Sequence, residues 1–208
     1  HGGGRVLAVD GVSFAVDAGQ TLALVGESGS GKSTVGRLVL DLIEPDAGDV
    51  RLRGVSLRSM DRGRRRAYRR AVQMVFQNPL ASFNPMLTVG ASLRDAMRLR
   101  DDLSRRDREV FGRELLERVR LDPNFVDRYP SELSGGQLQR VGIARALATD
   151  PEAIFLDEPT SALDMSIRGQ ILELLLDLQQ QSGLALVLVT HDLRVVKAFS
   201  AEVLVMYL

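Results

Sequence analysis

The stretch GESGSGKST, residues 26–34, combines glycines, a lysine and hydroxyl groups at a spacing suited to binding a chain of phosphates. Gly29 and Gly31 allow the backbone N–H groups of the loop to turn toward an anion. Lys32 can reach the β- and γ-phosphates of a nucleoside triphosphate, and Ser33 can offer its hydroxyl to Mg²⁺. A buried apolar strand precedes the loop and a helix follows it, so the context favours this motif and predicts binding of a nucleoside triphosphate.

Two carboxylates end the apolar run AIFLDE, residues 153–158. Asp157, at the end of a predicted strand, could hold Mg²⁺ directly or through water. Glu158 would then lie beside the γ-phosphate and could orient or deprotonate a water molecule. Two acids after a strand are often only a solvated turn. Their position after the phosphate-binding motif, with Pro159 following, favours a functional pair.

Two other polar residues follow apolar runs in the same way: Gln77 after AVQMVF and His191 after LALVLVT. A lone histidine at the end of a strand is usually structural. In open α/β sheets, however, ligands bind at the carboxyl ends of the strands. The two residues therefore support each other as candidate contacts to the nucleotide.

A second glycine-serine turn occurs much later, in LSGGQLQR at residues 133–140. Ser134 and two glycines at the start of a predicted helix form a possible anion site, because helix N-termini present unpaired N–H groups. One bound nucleotide needs only one such loop, so the second turn requires a separate explanation.

Composition excludes several classes of protein. The 208 residues carry 27 basic and 27 acidic side chains, which does not suggest bulk affinity for nucleic acid. There is no cysteine, so disulfides and thiolate metal sites are excluded. The longest apolar run, residues 184–189, is far shorter than the roughly 20 residues of a membrane span. No signal peptide is visible, and the start at His1 without an initiator methionine indicates a fragment.

Strand and helix alternate at both ends of the chain, which predicts a parallel α/β sheet. The alternating valines of residues 6–16 predict a small antiparallel sheet before it. Helices are predicted at residues 32–43 and 62–70, and helical, highly charged sequence continues from 88 to about 121. The organisation is a single domain over 1–208, with an α/β core at 1–77 and 150–208 and a helical subdomain at about 78–149.

The motifs GESGSGKST, Gln77, LSGGQLQR, AIFLDEP, SALD (161–164) and His191, in this order, resemble those of ABC-transporter ATP-binding subunits over nearly the whole chain. The run VFQNPLASFNP (75–85), with AVDGVSF and HDLRVV, is similar to the dipeptide, oligopeptide and nickel branch. The resemblance implies a P-loop NTPase (RecA-like) fold of class α/β. This fold has a parallel-sheet core, an N-terminal antiparallel β subdomain and an inserted helical subdomain.

The resemblance also implies residue roles. Glu158 would be the catalytic base, His191 would contact the γ-phosphate, and Gln77 would touch Mg²⁺ or the attacking water. Asp157 and Ser33 would serve Mg²⁺, and Asp164 would lie at a subunit contact. The ATP phosphates would be held by Gly26, Glu27, Ser28, Gly29, Ser30, Gly31, Lys32, Ser33 and Thr34. In a head-to-tail dimer, the γ-phosphate bound by one domain would be closed over by the other domain's Ser134, Gly135, Gly136 and Gln137.

The sequence departs from the family pattern in three places. No aromatic residue precedes Phe14, and Phe14 alternates with Val12 and Val16 as a core residue would. The residue that stacks on adenine is therefore expected to be missing, which predicts weak nucleotide affinity. Leu138 stands where a polar residue is common, and the chain stops at MYL where the family continues.

The expected partners are a second ATP-binding domain, identical or paralogous, transmembrane permease subunits and, indirectly, an extracytoplasmic substrate-binding protein. No nucleic acid is expected, and the place of action would be the cytoplasmic face of the inner membrane. The implied function is ATP hydrolysis that powers import of peptides, nickel or glutathione-like solutes. The alternatives are a soluble ABC-type ATPase that acts on DNA or the ribosome and, more remotely, a small P-loop kinase, which has no need for LSGGQLQR.

Overall fold

The computed structural model describes residues 7–200 and 202–207. Its main sheet has five strands: β1 (Thr21–Gly26), β4 (Val72–Val75), β5 (Ala153–Asp157), β6 (Ala185–Val189) and β7 (Glu202–Met206). They lie side by side in the order β4-β5-β6-β1-β7, and every neighbouring pair is parallel. The carboxyl ends of all five strands therefore meet at one edge of the sheet, where parallel α/β folds bind their ligands. The predicted α/β parallel core is confirmed.

Seven α-helices surround or extend the sheet within the described residues. They are α1 (Lys32–Val39), α2 (Arg62–Ala71), α3 (Val89–Ala96), α4 (Arg105–Arg118), α5 (Gly135–Leu147), α6 (Met165–Ser182) and α7 (Leu193–Phe199). Three of them, α3, α4 and α5, follow one another between β4 and β5, as the predicted helical insert requires. None of the helices in the described residues is long and apolar enough to cross a membrane.

One apolar cluster extends through both the inserted helices and the sheet. Leu93 of α3 and Leu115 of α4 belong to the same buried cluster as Ile143 of α5 and Leu156 of β5. The four side chains are fully buried. Because α5 packs on the sheet as well as on the other inserted helices, its first turn is held at a defined place beside the strand ends. The division at residues 78 and 149 stays a prediction.

An antiparallel pair is present, but it is not formed by the valines predicted for it. The pair is β2 (Arg51–Leu52) with β3 (Val55–Ser56). Arg53 and Gly54 connect them with positive φ angles of 52° and 76°, as a type I′ hairpin turn requires.

The predicted strands of residues 6–16 are wrong where the structure describes them. Residues 7–20 contain no strand, and Val6 lies outside the described residues. Val9, Val12 and Val16 pack against the cluster around Phe155, and no strand within the described part of the chain pairs with them. Phe14 is 37% exposed, so it is not the core residue that its alternation predicts.

Two predicted helices are shorter than expected. The first ends at Val39 rather than at residue 43, because Asp41 adopts a left-handed backbone with φ 55°. Its carboxylate is held by Arg65 and Arg69 of α2, at 3.1 and 2.9 Å. The long charged helix is two helices, since Ser104 starts α4 with a capping box to Asp107.

Candidate functional site

The phosphate-binding loop (residues 26–34) connects β1 to α1, as predicted. Gly31 is the N-cap of α1, with φ 93°, and no side chain caps this helix end. A Cβ atom at Gly31 would lie 2.1 Å from the carbonyl oxygen of Ala8, so only glycine fits there. The first N–H groups of α1 thus have no side-chain acceptor, which is the condition for an anion to bind them.

Lys32 is buried, and its ammonium group lies inside the loop. Its Nζ donates to the backbone oxygens of Gly26 at 2.8 Å and Glu27 at 2.5 Å, and to Ser30 Oγ at 3.2 Å. All three donors of the ammonium are therefore used within the loop. These acceptors keep the ammonium charge of Lys32 inside the loop. A phosphate that binds here would replace one or more of them as the acceptor.

Asp157 at the end of β5 lies beside Ser33 at the start of α1. The Ser33 hydroxyl donates to Asp157 Oδ2 at 3.4 Å. Burial, and next the charge of Glu158, raise the pKa of the Asp157 carboxyl, whereas Ser33, Lys32 and Arg37 lower it. A divalent cation at this place would offset the cost of burying the carboxylate.

The donor set fits Mg²⁺ that is shared with phosphates. Ser33 Oγ and Asp157 Oδ2 are oxygen ligands of the kind that Mg²⁺ prefers. Among residues 7–200 and 202–207, no group of three or more His, Asp or Glu side chains could hold a metal ion. Mg²⁺ typically binds through one or two protein oxygens together with substrate phosphates and water, so this sparse set is sufficient.

Glu158 lies between the other two strand-end residues. Gln77 Nε2 donates to its Oε2 at 3.0 Å, and His191 Nδ1 lies 3.3 Å from its Oε1. Each carboxylate oxygen thus faces a different polar side chain. The three residues come from the carboxyl ends of β4, β5 and β6, where the sequence predicts a shared site.

The backbone of Glu158 is itself unusual. Its φ angle is +43°, and its N–H donates to the backbone oxygen of Val189 at 3.0 Å. A non-glycine residue in this region is strained, and such strain concentrates at functional sites. The sequence gives no sign of this positive φ angle, because the residue at the position is a glutamate and the usual sign is a glycine.

The signature turn (residues 133–137) is the start of α5. Ser134 Oγ accepts from the N–H of Gln137 at 3.3 Å, and Gln137 Oε1 accepts from the N–H of Ser134 at 3.0 Å, a capping box. Ser134 and Gly135 are exposed. Within the described residues, no hydrogen bond joins residues 134–137 to residues 26–34. The signature turn is therefore not hydrogen-bonded to the phosphate-binding loop of its own chain. Its predicted contact with a nucleotide bound by a second domain stays a prediction.

Asp164 is exposed at the N-cap of α6 and makes no capping hydrogen bond from its side chain. The segment before it, residues 161–163, is held by Arg168. Arg168 Nε donates to the backbone oxygen of Leu163 at 2.8 Å, and Nη2 donates to that of Ser161 at 3.1 Å. The Ser161 hydroxyl donates to the backbone oxygen of Glu158 at 3.1 Å. Arg168 was missed in the sequence, where only its place four residues after Asp164 could have indicated it.

A cavity of about 260 Å³ lies beside these groups. It is lined by the beginning of the Gln77 loop (residues 77–87), by the signature turn and by residues 159–163. Gln139 lies in its wall, is 1% exposed, and has no hydrogen-bond partner for its Nε2 atom among the described residues. The three segments thus meet around one space, whose wall includes Gln77 and Pro159, the residue after Glu158.

Comparisons with known proteins show which family this chain resembles. A family model described as ABC transporter matches residues 9–161. The chain is 50% identical over 203 residues to the probable peptide ABC transporter ATP-binding protein y4tS of Sinorhizobium fredii, covering 98% of this chain and 58% of that protein. It is 46% identical to the dipeptide transport ATP-binding protein DppF of Haemophilus influenzae, covering 98% of this chain and 62% of that protein.

Solved structures are similar as well. The dimeric bacterial ABC transporter cassette MJ0796 aligns with a TM-score of 0.84 at 32% identity, covering 96% of this chain and 86% of that one. A post-hydrolysis dimer of the same cassette, bound to ADP and phosphate, aligns with a TM-score of 0.81. The chain spans about three fifths of the length of the y4tS and DppF proteins.

Proposed function

The chain belongs to the ABC transporter family, and from this premise we propose that it is the ATP-binding and ATP-hydrolysing domain of a peptide importer. The observation that carries the proposal is the position of Glu158 between Gln77 and His191, next to the Ser33–Asp157 pair. These groups lie at one end of the same parallel strands, beside a phosphate-binding loop whose helix has no side-chain cap.

ATP would bind with its phosphates on the loop at residues 26–34. Lys32 would exchange loop carbonyls for phosphate oxygens, and the uncapped N-terminus of α1 would add favourable potential. Ser33 and Asp157 would hold Mg²⁺, which neutralises charge on the phosphates when it is bound. Phe14 precedes β1 and is 37% exposed. We propose no stacking of Phe14 on the adenine, and the weak affinity for nucleotide stays a prediction.

Glu158 would act as the general base. The oxygen of a water molecule attacks the γ-phosphorus and its proton passes to the Glu158 carboxylate, while the bond from the γ-phosphorus to the bridging oxygen breaks. ADP leaves with that electron pair. Gln77 and His191 would fix the carboxylate by its two oxygens, so its direction does not depend on the flexible glutamate side chain alone. His191 would also contact the γ-phosphate.

A second ATP-binding domain would complete the site. The signature turn carries N–H groups and Ser134 at an exposed helix start, with no contact to its own phosphate-binding loop within the described residues. This exposure suits a contact with a nucleotide bound by another domain. The similar cassettes described as dimeric support this arrangement. Asp164 and residues 161–163 would lie at the same interface.

Peptides are the proposed cargo, because the relatives are named for peptide and dipeptide transport. Their names favour transport over the alternative of an ATPase acting on DNA or the ribosome. The partners would be transmembrane permease subunits and, through them, an extracytoplasmic substrate-binding protein. The domain would act at the cytoplasmic face of the membrane. Nickel and glutathione-like solutes are further cargo classes that the same test separates.

The test uses the full-length protein purified with its permease subunits and reconstituted in vesicles. Labelled dipeptide, oligopeptide, glutathione and Ni²⁺ are offered with the substrate-binding protein, and uptake and phosphate release are measured together. We expect ATP-dependent peptide uptake that Glu158→Gln removes while ATP binding persists. Wild-type turnover in Glu158→Gln would contradict the catalytic assignment. ATP turnover stimulated by ribosomes or DNA, without uptake of any solute, would contradict the transport assignment.

A further inference from the structure

Arg145, near the end of α5, joins that helix to the Gln77 loop. Its Nη1 donates to the backbone oxygen of Ser82, and its Nη2 donates to Ser82 Oγ at 2.9 Å. The guanidinium carbon lies 4.2 Å from the centre of the Phe83 ring. One side chain thus binds a backbone group, a hydroxyl and an aromatic face in two consecutive residues of the loop.

The positive charge of Arg145 is stabilised by neutral polar groups and an aromatic ring rather than by a carboxylate. Burial lowers the pKa of this guanidinium, and no ion pair to it occurs in the described part of the chain. A cation that is removed from water at this cost requires compensation from neutral dipoles and the ring quadrupole. An apolar side chain could fill the same space with less cost in desolvation. The arginine therefore contributes more than the filling of space, namely three directional contacts to the loop.

The loop end of this connection is a stiff unit. Ser82 Oγ also donates to the backbone oxygen of Pro79 at 2.7 Å, and Asn78 Oδ1 accepts from the N–H of Ala81 at 3.2 Å. Phe83 is buried in the main apolar cluster. A displacement passed to Ser82 and Phe83 is therefore passed to the whole turn at 78–83 rather than absorbed in it.

The helix end of the connection is equally defined. Helix α5 begins at the signature turn, and the loop begins at Gln77, which binds Glu158 at 3.0 Å. Arg140 of α5 also donates to the backbone oxygen of Val119 at 3.0 Å and to Gln170 Oε1 at 3.2 Å. The same helix is thus bound to α6, to the end of α4 and to the Gln77 loop.

We propose that Arg145 is a positioning residue that makes α5 and the Gln77 loop move together when ATP binds. Closure of a second domain on the signature turn would shift α5, and Arg145 would carry that shift to the turn at 78–83. The next residues would follow, because Asn84 accepts from the N–H groups of Met86 and Leu87. The inference rests on the proposed function, because it assigns a route from the nucleotide to the loop. Arg145 itself contacts neither ATP nor the reacting atoms.

The first experiment uses the absence of tryptophan from the chain. Met86 is 80% exposed and lies beyond Ser82 on the loop, so Met86→Trp adds a fluorescent reporter there, and the signal of the full-length protein without this substitution is subtracted as background. Fluorescence is recorded during ATP titration of the full-length protein with Met86→Trp alone, with Arg145→Met, and with Arg145→Lys. Arg106→Met, an exposed arginine of α4, is the matched control.

We expect the ATP-dependent fluorescence change to fall about fivefold or more in Arg145→Met, with ATP affinity changed less than about twofold. Arg145→Lys should give an intermediate change, since a point charge cannot bind Ser82 at two atoms and stack on Phe83 as well. Arg106→Met should behave as the parent protein. An unchanged fluorescence response in Arg145→Met, or no response in Met86→Trp itself, would overturn the proposal.

A second pair of variants keeps the arginine and so avoids a general loss of folding. Ser82→Ala removes the hydroxyl acceptor, and Phe83→Leu removes the ring. Each should lower the fluorescence response while circular dichroism and ATP affinity stay unchanged. In reconstituted vesicles, Arg145→Met should lower peptide uptake per ATP hydrolysed. Failure of all uptake in the wild-type protein would contradict the proposed function but not the fluorescence result, so the two failures are distinguishable.

Discussion

Two helices of this protein begin with glycine and serine, and they are prepared for a phosphate in opposite ways. Helix α1 begins at Gly31 with no side-chain cap, and Lys32 is buried in the loop before it. Helix α5 begins at Ser134 with a complete capping box to Gln137, and its first residues are exposed. The first helix start has unused donors and a positive charge, whereas the second satisfies part of its own donors.

The difference teaches that a glycine-serine turn at a helix start is not by itself a ready anion site. The loop at α1 can bind phosphate in a single chain because its N–H groups lack acceptors. At the start of α5 the Gln137 N–H already donates to Ser134 Oγ, so a ligand there would use the other N–H groups of the turn and the hydrogen of the Ser134 hydroxyl. An exposed turn of this kind suits a contact made only when a second domain closes, and the following substitutions can break or sharpen this comparison.

The largest difference should come from the charge. Lys32→Met removes the ammonium that serves the phosphates, and we expect ATP affinity to fall by about two orders of magnitude or more. Gln137→Met, the matched change at the other helix start, should leave ATP affinity of the isolated domain within about twofold. Calorimetric titration measures both. Equal losses in the two variants would remove the distinction between the helix starts.

Ser134→Arg should separate binding from turnover. The exposed bulk and charge at the start of α5 would obstruct closure of a second domain, so hydrolysis should fall about tenfold or more while ATP still binds. Phosphate release and sedimentation velocity in the presence of ATP measure the two effects. Loss of ATP binding by the monomeric variant would show that this turn belongs to its own chain's nucleotide site.

A matched pair of glycine substitutions compares the two backbones. Gly31→Ala adds a Cβ atom at φ 93° and 2.1 Å from the Ala8 carbonyl oxygen, so we expect a loss of about 2 kcal/mol or more in the free energy of unfolding. Gly136→Ala places a Cβ atom 2.7 Å from Ile167 Cγ2, which can move only with a rotation or shift of that branched side chain, but it needs no left-handed backbone and should cost about 1 kcal/mol. Urea denaturation measures both. A larger loss in Gly136→Ala would reverse the comparison.

The smallest effect should come from Asp157. Burial raises its folded-state pKa above the ordinary value of 3.8, so the native state holds more protons than the unfolded state in the window above pH 3.8. The free energy of unfolding attributable to this group therefore falls as pH rises through that window. Asp157→Asn should remove this dependence and make the ligand-free protein more stable at neutral pH.

The same variant tests the metal assignment. Asp157→Asn should weaken the stabilisation that Mg²⁺ and ATP give to the folded protein, while Asp164→Asn, at the exposed start of α6, should leave it intact. Thermal unfolding with and without Mg²⁺ and ATP measures it. A full stabilisation by Mg²⁺ in Asp157→Asn would exclude this carboxylate as its ligand.

The sequence predicts most of the nucleotide side of the site. Gln77, Glu158 and His191 each follow an apolar run, and a run buried on both faces is the local pattern of a parallel strand. Because the strands are parallel, their carboxyl ends lie at the same edge of the sheet. The topology therefore makes these three residues neighbours although they are far apart in the sequence. The α/β core and the place of the phosphate-binding loop follow from the same local patterns.

The sequence-based prediction was wrong for a pattern whose structure depends on a neighbouring strand. The valines of residues 9–16 alternate as a strand does, yet no strand pairs with them among residues 7–200 and 202–207, and they pack on the cluster around Phe155. Arg145 and Arg168 were missed for a related reason. The guanidinium contacts are with carbonyl oxygens and a ring, which carry no signal in the spacing of residue types.

The sequence by itself determined the chemistry of this protein: a lysine-containing loop, two carboxylates and a second glycine-serine turn are written in consecutive residues. Only the tertiary structure decided how these groups are used. The strained backbone of Glu158, whose N–H donates to Val189, and the two polar neighbours of its carboxylate depend on distances between segments far apart in the chain. Local residue types fix which groups can bind a phosphate, whereas packing fixes which of them are free to do so.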